Sequence, residues 1–154
     1  MTDANEHGKE EENNMGCYHS VTVNAPVDQV WDTLRKFHDM SWCPDVITQL
    51  EVVGDSGGNE TGAKRLLNGV FHETLLTLDD EERTFSYSID DGPEALSKDN
   101  VQGYVGEVRV FPVTADDCTF VLWTSRWASS GGGVQEFCDP IYRALLGALK
   151  SHFA

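Results

Sequence analysis

The chain has 154 residues, enough for one domain with a buried core, and 40% of them are hydrophobic. Its formal net charge is −15, of which residues 1–16 contribute −4, so the remaining body carries −11. Because an acidic body repels phosphate backbones and anionic membrane surfaces, we expect neither a nucleic-acid partner nor docking on a lipid surface.

The first segment, Met1–Gly16, is polar and acidic. We expect a disordered tail there, because the segment holds too few apolar residues to order itself. Residues 17–154 are predicted to form a single domain without stable membrane insertion, since no apolar run approaches the roughly 20 residues of a membrane span. The four cysteines are scattered without metal-ligand spacing. We therefore expect reduced thiols, a cytoplasmic location, no metal and no cofactor.

An alternating pattern predicts the first strand at Tyr18–Asn24. A helix follows it, with Asn24 or Ala25 as the capping residue and with Pro26 and Asp28 in the first turn, a favoured start. Its apolar face is predicted to consist of Val27, Val30, Trp31, Leu34 and Phe37.

Between residues 46 and 128 the apolar residues recur with period two, which is typical of strands with one buried face. The predicted strands are Val46–Val53, Ala63–Leu67, Val70–Leu78, Thr84–Asp90, Val101–Phe111 and Cys118–Ala128. The dipeptide Asn68-Gly69 predicts a two-residue hairpin turn with positive φ angles. Ser129–Gly133 is predicted to be a flexible hinge.

The last segment, Val134–Phe153, has the spacing of a long amphipathic helix. Its apolar stripe is predicted at Phe137, Ile141, Leu145 and Leu149. Consecutive strands joined by short turns imply an antiparallel sheet. The predicted fold is therefore α+β, with a curved antiparallel sheet of about seven strands wrapped around the C-terminal helix. An apolar hollow is expected between the sheet and the helix.

Several side chains are candidates for lining that hollow. On the last strand, Trp123 and Trp127 share one face, where they either form walls of a binding site or pack on the final helix. Glu73 alternates with Phe71, so it lies either among apolar groups or on the opposite, solvent-facing side. In the first case burial raises the pKa of its carboxyl, which then can act as acid, base or hydrogen-bond anchor. Tyr87 and Tyr104 are either core aromatics or sources of hydroxyl groups.

Two segments carry a resemblance to a known group of proteins. The segments 25–31 (APVDQVW) and 42–46 (WCPDV) resemble the opening of the helix-grip or START-like superfamily, which includes polyketide cyclase/dehydrase-like proteins. The resemblance runs from about Tyr18 to Phe153. It implies a sheet that grips a terminal helix and an internal site for a hydrophobic ligand.

The middle of the chain, from Glu73 to Ile89, looks like the corresponding strands of the abscisic acid receptors in that superfamily. Three features of those receptors are altered here. The lysine that anchors the hormone carboxylate has no counterpart, and Thr48 lies nearest to its position. The Ser-Gly-Leu-Pro-Ala gate is shortened to Asn68-Gly69, and the His-Arg-Leu latch reads Glu94-Ala95-Leu96. The resemblance implies that the cavity is lined by Glu73, Tyr87, Ile89, Tyr104, Phe137, Ile141 and Leu145.

The sequence leads to three functional hypotheses. The first is a non-enzymatic binder or carrier of a small hydrophobic molecule. The second is a polyketide cyclase or aromatase-type enzyme, in which Glu73 or a tyrosine promotes aldol closure or dehydration. The third is an interaction protein similar to the ubiquinone-binding branch of the superfamily. The dipeptide Trp42-Cys43 faintly resembles the motif of that branch. No catalytic residue, ligand identity or oligomeric state is assigned. The predicted ligand-binding residues are Phe71, Glu73, Tyr87, Ile89, Tyr104, Trp123, Trp127, Phe137, Ile141 and Leu145.

Overall fold

The computed structural model describes residues 15–154. That part of the chain contains two α-helices, α1 (Val27–Leu34) and α2 (Val134–His152), and a short 3-10 helix at Glu94–Leu96. The strands in chain order are β1 (Gly16–Val23), β2 (Leu50–Val53), β3 (Lys64–Leu67), β4 (Phe71–Asp79), β5 (Thr84–Asp91), β6 (Val101–Gln102), β7 (Val105–Val113), β8 (Cys118–Arg126) and β9 (Ser129–Ser130).

Seven of these strands form one antiparallel sheet in the order β1-β8-β7-β5-β4-β3-β2. The helix α2 packs on its β1 end, where the ring of Tyr142 lies 5.6 Å from the rings of both His19 and Trp123. The core lies between this sheet face and α2, and includes Val108, Val121 and Leu149 without solvent exposure. This architecture confirms the predicted α+β fold.

The helix α2 is amphipathic, with Leu145, Leu146 and Leu149 buried and Arg143 and Lys150 exposed. A helix with one polar face packs against a protein core rather than spanning a bilayer. Within residues 15–154, no helix is both long enough and apolar enough to cross a membrane.

The N-terminal elements begin at different residues from those predicted. β1 starts at Gly16, and the Met15 carbonyl accepts a hydrogen bond from the Trp127 amide, so both residues belong to the folded region. The rest of the predicted tail, residues 1–14, lies outside the described residues. Neither Asn24 nor Ala25 caps α1, because Pro26 itself occupies the N-cap position and its carbonyl accepts the first helical hydrogen bonds.

The predicted strand Val46–Val53 is shorter in the structure, where β2 begins at Leu50. The amides of Val46 and Ile47 both donate to the carbonyl of Cys43, which forms a turn in place of a ladder. The amide of Thr48 donates to the Asn68 side chain at 2.8 Å. The connection between α1 and β2 is therefore tied down by turns and by one asparagine instead of by a strand partner.

The hairpin between β3 and β4 has the predicted positive φ angles, 53° at Asn68 and 72° at Gly69. Its predicted two-residue length is wrong, because Leu67 pairs with Phe71 and Val70 joins the turn as a third residue. The extra residue shifts the register by one position. As a result, Arg65 faces Glu73 across the ladder; a two-residue turn puts Lys64 opposite Glu73 instead.

The predicted strand Val101–Phe111 is divided at Gly103, which has a φ of 70°. The first part, β6, leaves the main sheet and pairs with β9. Ser129–Gly133, predicted as a hinge, therefore begins with a paired strand, and its Gly131 amide donates to the Asn100 carbonyl at 2.8 Å.

Candidate ligand-binding site

A hollow lies between the inner face of the sheet and α2, and we call it the sheet–helix hollow. Its enclosed volume is about 40 Å³. That is room for about three water molecules, since roughly 10–15 Å³ of a volume measured with a water-sized probe holds one. The residues lining it are Met40, Ile47, Arg65, Leu67, Phe71, Glu73, Tyr87, Ile89, Leu96, Tyr104, Trp123, Cys138, Ile141, Tyr142 and Leu145.

Eight of the ten predicted ligand-binding residues meet around this hollow. They are Phe71, Glu73, Tyr87, Ile89, Tyr104, Trp123, Ile141 and Leu145. Trp127 and Phe137 do not line it. The Trp127 ring stacks on Tyr104, with centroids 5.7 Å apart and planes within 7°, so the tyrosine stands between it and the hollow. That the eight residues contact a ligand remains a prediction.

Phe137 misses the hollow because the buried face of α2 is turned by one residue from the predicted stripe. Phe137 and Ile141 are half-buried, whereas their neighbours Cys138 and Tyr142 are buried. The sequence contains a signal for this face, since Val134, Cys138, Tyr142, Leu145 and Leu149 also recur at helical spacing. Tyr and Cys score as less apolar than Phe and Ile, which favoured the other stripe.

Arg65 is the most important residue that the sequence analysis missed. Its guanidinium donates from Nε to Oε1 of Glu73 at 2.9 Å and from Nη1 to the Phe37 carbonyl at 2.8 Å, and its Nη2 lies 2.7 Å from the same Oε1 in an ion pair. It also lies 3.8 Å above the centre of the Phe37 ring. The side chains of Arg65 and Glu73 are only 3% and 7% exposed, so this is a buried ion pair. Alternation with Ala63, just before β3, and with Leu67 on β3 could have revealed that Arg65 points inward.

Burial raises the pKa of Glu73 above its ordinary value, while the charge of Arg65 acts in the opposite direction. Of the two placements that the sequence left open for this carboxyl, the structure has the buried one. Both contacts from Arg65 reach Oε1, and no hydrogen bond within residues 15–154 involves Oε2. Glu73 lines the hollow, so Oε2 is the oxygen left for a bound molecule.

Three tyrosine hydroxyls collect at the α2 side of the hollow. Tyr104 and Tyr142 share a hydrogen bond, and Tyr104 also donates to the sulfur of Cys138 at 3.6 Å. The hydroxyl of Tyr87 accepts from the indole N–H of Trp123 at 2.9 Å. Burial raises the pKa of Tyr87, Tyr104 and Tyr142 well above the ordinary phenol value, so all three hydroxyls stay protonated at neutral pH.

Four of the lining residues are half-buried and apolar, and we call them the mouth residues: Ile47, Phe71, Ile89 and Ile141. They come from the α1–β2 connection, β4, β5 and α2 respectively. The other lining residues are buried. The hollow is therefore apolar where it approaches solvent and polar at a few points in its interior, the arrangement common in small-molecule sites.

No metal site accompanies these residues. Within residues 15–154, no three His, Cys, Asp or Glu side chains stand close enough together to hold an ion. The nearest polar pair outside the hollow joins His19 to Asp139 at 2.8 Å, between β1 and α2. That pair links the helix to the sheet edge and does not line the hollow.

Comparison with known proteins places the chain in a family. A family model described as "Polyketide cyclase / dehydrase and lipid transport" matches residues 17–154. No curated protein gives a significant match. Among solved structures, a protein from Nitrosospira multiformis is similar, with 42% identity and a TM-score of 0.88 over 90% of this chain and 96% of its own.

Two more distant structures show likeness of fold alone. The protein XoxI from Bacillus cereus is 21% identical, with a TM-score of 0.71 over 90% of this chain and 94% of its own. Major latex-like protein 151 from Panax ginseng is 11% identical, with a TM-score of 0.73 over 90% and 97%. The family match and these folds confirm the predicted helix-grip superfamily and its polyketide cyclase/dehydrase-like branch.

Proposed function

The chain belongs to the polyketide cyclase/dehydrase and lipid transport family, and we propose that it binds a small, mostly apolar molecule in the sheet–helix hollow. The observation that carries this proposal is the graded lining of the hollow. Half-buried aliphatic and aromatic side chains form its mouth, and buried groups that can form hydrogen bonds, Glu73 and Tyr87 among them, lie inside. The side chains of the mouth remove the apolar surface of a ligand from water, which favours binding. The polar groups inside the hollow orient the ligand.

Binding requires the hollow to open. A volume of about 40 Å³ is far below the range of about 300–1,000 Å³ typical of ligand pockets. The mouth offers a route, because Met40 and Ile47 lie on the α1–β2 connection, which has no strand partner. Displacing these side chains and Ile141 enlarges the hollow without breaking the main sheet ladder.

A role as an enzyme is less well supported by the same residues. An acid or base in catalysis must exchange its proton with the substrate in the transition state. Glu73 is the only carboxyl among the lining residues of the described chain, and Arg65 holds its Oε1 with a hydrogen bond from Nε and an ion-pair contact from Nη2. If the Glu73 carboxyl takes up a proton during catalysis, the Arg65 charge remains buried without its partner, and this costs free energy.

A role as an interaction protein requires a continuous exposed apolar surface. The large apolar side chains that are exposed in the described region are Tyr18, Val52, Val53, Val70 and Leu76. Tyr18 lies on β1 and Val52 on β2, which are opposite edges of the sheet. Tyr18 is therefore separated from the other four, which lie on or beside β2 and β4.

The proposal is tested by isothermal titration calorimetry with naphthylmethanol, an uncharged bicyclic alcohol. We expect saturable binding at one site per chain. Ile141→Trp should weaken it at least tenfold by filling the mouth, whereas Ala144→Trp, on the exposed side of α2, should leave it unchanged. Equal effects of both substitutions, or no saturable binding by the parent protein, contradict the proposal.

A further inference from the structure

The ion pair inside the hollow also bears on the charge of its ligand. We propose that the bound molecule is uncharged and carries a hydroxyl or carbonyl oxygen, and that carboxylates and ammonium ions are excluded. This inference rests on the proposed function and concerns the same site.

The first step is that the hollow has no cation available for an anionic ligand. Arg65 is the only lysine, arginine or histidine among the lining residues of the described chain. Its Nε donates to Oε1 of Glu73, its Nη1 donates to the Phe37 carbonyl, and its Nη2 lies 2.7 Å from the same Oε1. One flat face is covered by the Phe37 ring. The charge of Arg65 is therefore already paired with Glu73, and a ligand carboxylate finds no unpaired cation.

An anionic ligand could enter the hollow in two ways. If it leaves the pair intact, its charge is buried beside the neutral Arg65–Glu73 pair with no counter-charge. If it captures Arg65, Glu73 becomes the buried anion without a partner. Both arrangements leave one unpaired negative charge in an apolar site, which is strongly unfavourable. An ammonium ion meets the reverse problem, because it must either remain unpaired or displace Arg65 from Glu73.

The third step is that the remaining polar groups suit a neutral oxygen. Oε2 of Glu73 can accept a hydrogen bond from a ligand hydroxyl. The hydroxyl of Tyr87, which is protonated and accepts from Trp123, keeps its own proton to donate to a hydroxyl or carbonyl oxygen. The body outside the first 16 residues carries −11, so its long-range field adds to the discrimination against anions.

The test uses three ligands that share one ring system: naphthylmethanol, naphthoate and naphthylmethylammonium. Calorimetry at pH 7 should give at least tenfold tighter binding for the alcohol than for either ion. Naphthoate or the ammonium ion binding as tightly as the alcohol overturns the inference and leaves the proposed function standing. If none of the three binds, the proposed function fails and the inference fails with it.

A charge-specific variant sharpens the test. Glu73→Gln leaves the Arg65 charge without its partner, so the ratio of naphthoate to alcohol affinity should rise at least tenfold. Glu51→Gln, which removes the same charge from an exposed position on β2, should leave the ratio unchanged. An unchanged ratio in a folded Glu73→Gln protein overturns the inference.

A measurement on the unaltered protein covers the case in which Glu73→Gln does not fold. A nitrophenol ionises near neutral pH, whereas its methyl ether does not. Nitrophenol affinity should fall at least tenfold as the pH rises through that ionisation, while affinity for the ether stays constant. Parallel behaviour of the two ligands overturns the inference.

Discussion

Gly106 lies directly opposite Tyr87 in the ladder between β5 and β7, and the tyrosine ring covers the place where a side chain at residue 106 belongs. A Cβ atom built on Gly106 comes within 2.3 Å of the Tyr87 ring. The absence of a side chain at this position allows the ring to lie over the sheet. In this position the ring brings the Tyr87 hydroxyl to the indole of Trp123 at the wall of the hollow.

The first prediction concerns this contact. Gly106→Ala should destabilise the protein by about 1–3 kcal/mol, the usual cost of overpacking a core, because the methyl group displaces a buried ring. Urea unfolding measures the change, and loss of the Trp123–Tyr87 hydrogen bond should alter the tryptophan emission.

Gly147→Ala is the matched control for this substitution. Gly147 is exposed in the middle of α2, and a Cβ there meets no atom within 4 Å. Alanine should stabilise that helix by about 1 kcal/mol. A Gly106→Ala protein as stable as its parent contradicts the close contact with Tyr87.

The second prediction concerns the hairpin turn. Gly69→Val should destabilise the protein by about 1 kcal/mol or more, because a β-branched residue is strained at a φ of 72°. Gly69→Asn should cost less, since asparagine tolerates the left-handed region. Thermal unfolding of the two variants side by side gives the comparison, and equal losses argue against a positive φ at this position.

The third prediction separates the net contribution of the buried ion pair from the cost of breaking it. Arg65→Met should destabilise the protein by about 3–5 kcal/mol at pH 8, because Glu73 is left as a buried charge without a partner. The double variant Arg65→Met/Glu73→Leu should recover most of that loss. A double-mutant cycle by urea unfolding provides the measurement. If the double variant is less stable than Arg65→Met alone, apolar side chains cannot take the place of the ion pair, and the prediction is contradicted.

The fourth prediction is a pH dependence. The pKa of Glu73 is raised in the folded protein, so the folded state holds this proton more tightly than the unfolded state. The stability that this group contributes is present below its unfolded pKa, about 4.3, and is lost as the pH rises through the raised value.

The parent protein should therefore lose stability relative to Glu73→Gln between pH 4 and neutral pH, as about one titrating group. The difference in unfolding free energy between the parent protein and Glu73→Gln cancels the opposite contribution of Asp39, Asp80 and Asp91. The pKa values of these three groups are lowered by their hydrogen-bond partners. A difference in unfolding free energy that is flat, or that rises with pH, contradicts the assignment.

Much of the fold was predictable because its signals are local. The alternation in residues 46–128 and the spacing from Val134 onward depend on one strand or one helix at a time, and the antiparallel sheet and terminal helix that they predicted were confirmed. The turn at Asn68-Gly69 was predicted in its backbone angles but not in its length. The third turn residue, Val70, is set by pairing between strands, which no single segment encodes.

The interior of the hollow was harder to predict for the same reason. An inward Glu73 was one of two placements left open by its own strand, and its partner Arg65 depends on the register that Val70 creates. The predicted α2 stripe and the buried face share Leu145 and Leu149, but earlier in the helix Cys138 and Tyr142 are buried in place of Phe137 and Ile141. There Tyr142 packs on rings of β1 and β8. Local patterns thus identified most of the walls, and cross-strand register determined the polar groups.

The central claim is that a small apolar molecule occupies the sheet–helix hollow, and the chain allows a direct test of that location. Its sequence contains three isoleucines, Ile47, Ile89 and Ile141, and all three are mouth residues. A protein labelled at the isoleucine Cδ1 and the valine methyl groups should therefore show three isoleucine signals, each reporting on the hollow.

Titration with naphthylmethanol should shift all three isoleucine signals along one saturable curve, while the methyl signals of Val52 and Val53, exposed on β2, stay in place. Saturable shifts confined to the valines, or isoleucine signals that do not move while calorimetry reports binding, would place the ligand elsewhere and contradict the account.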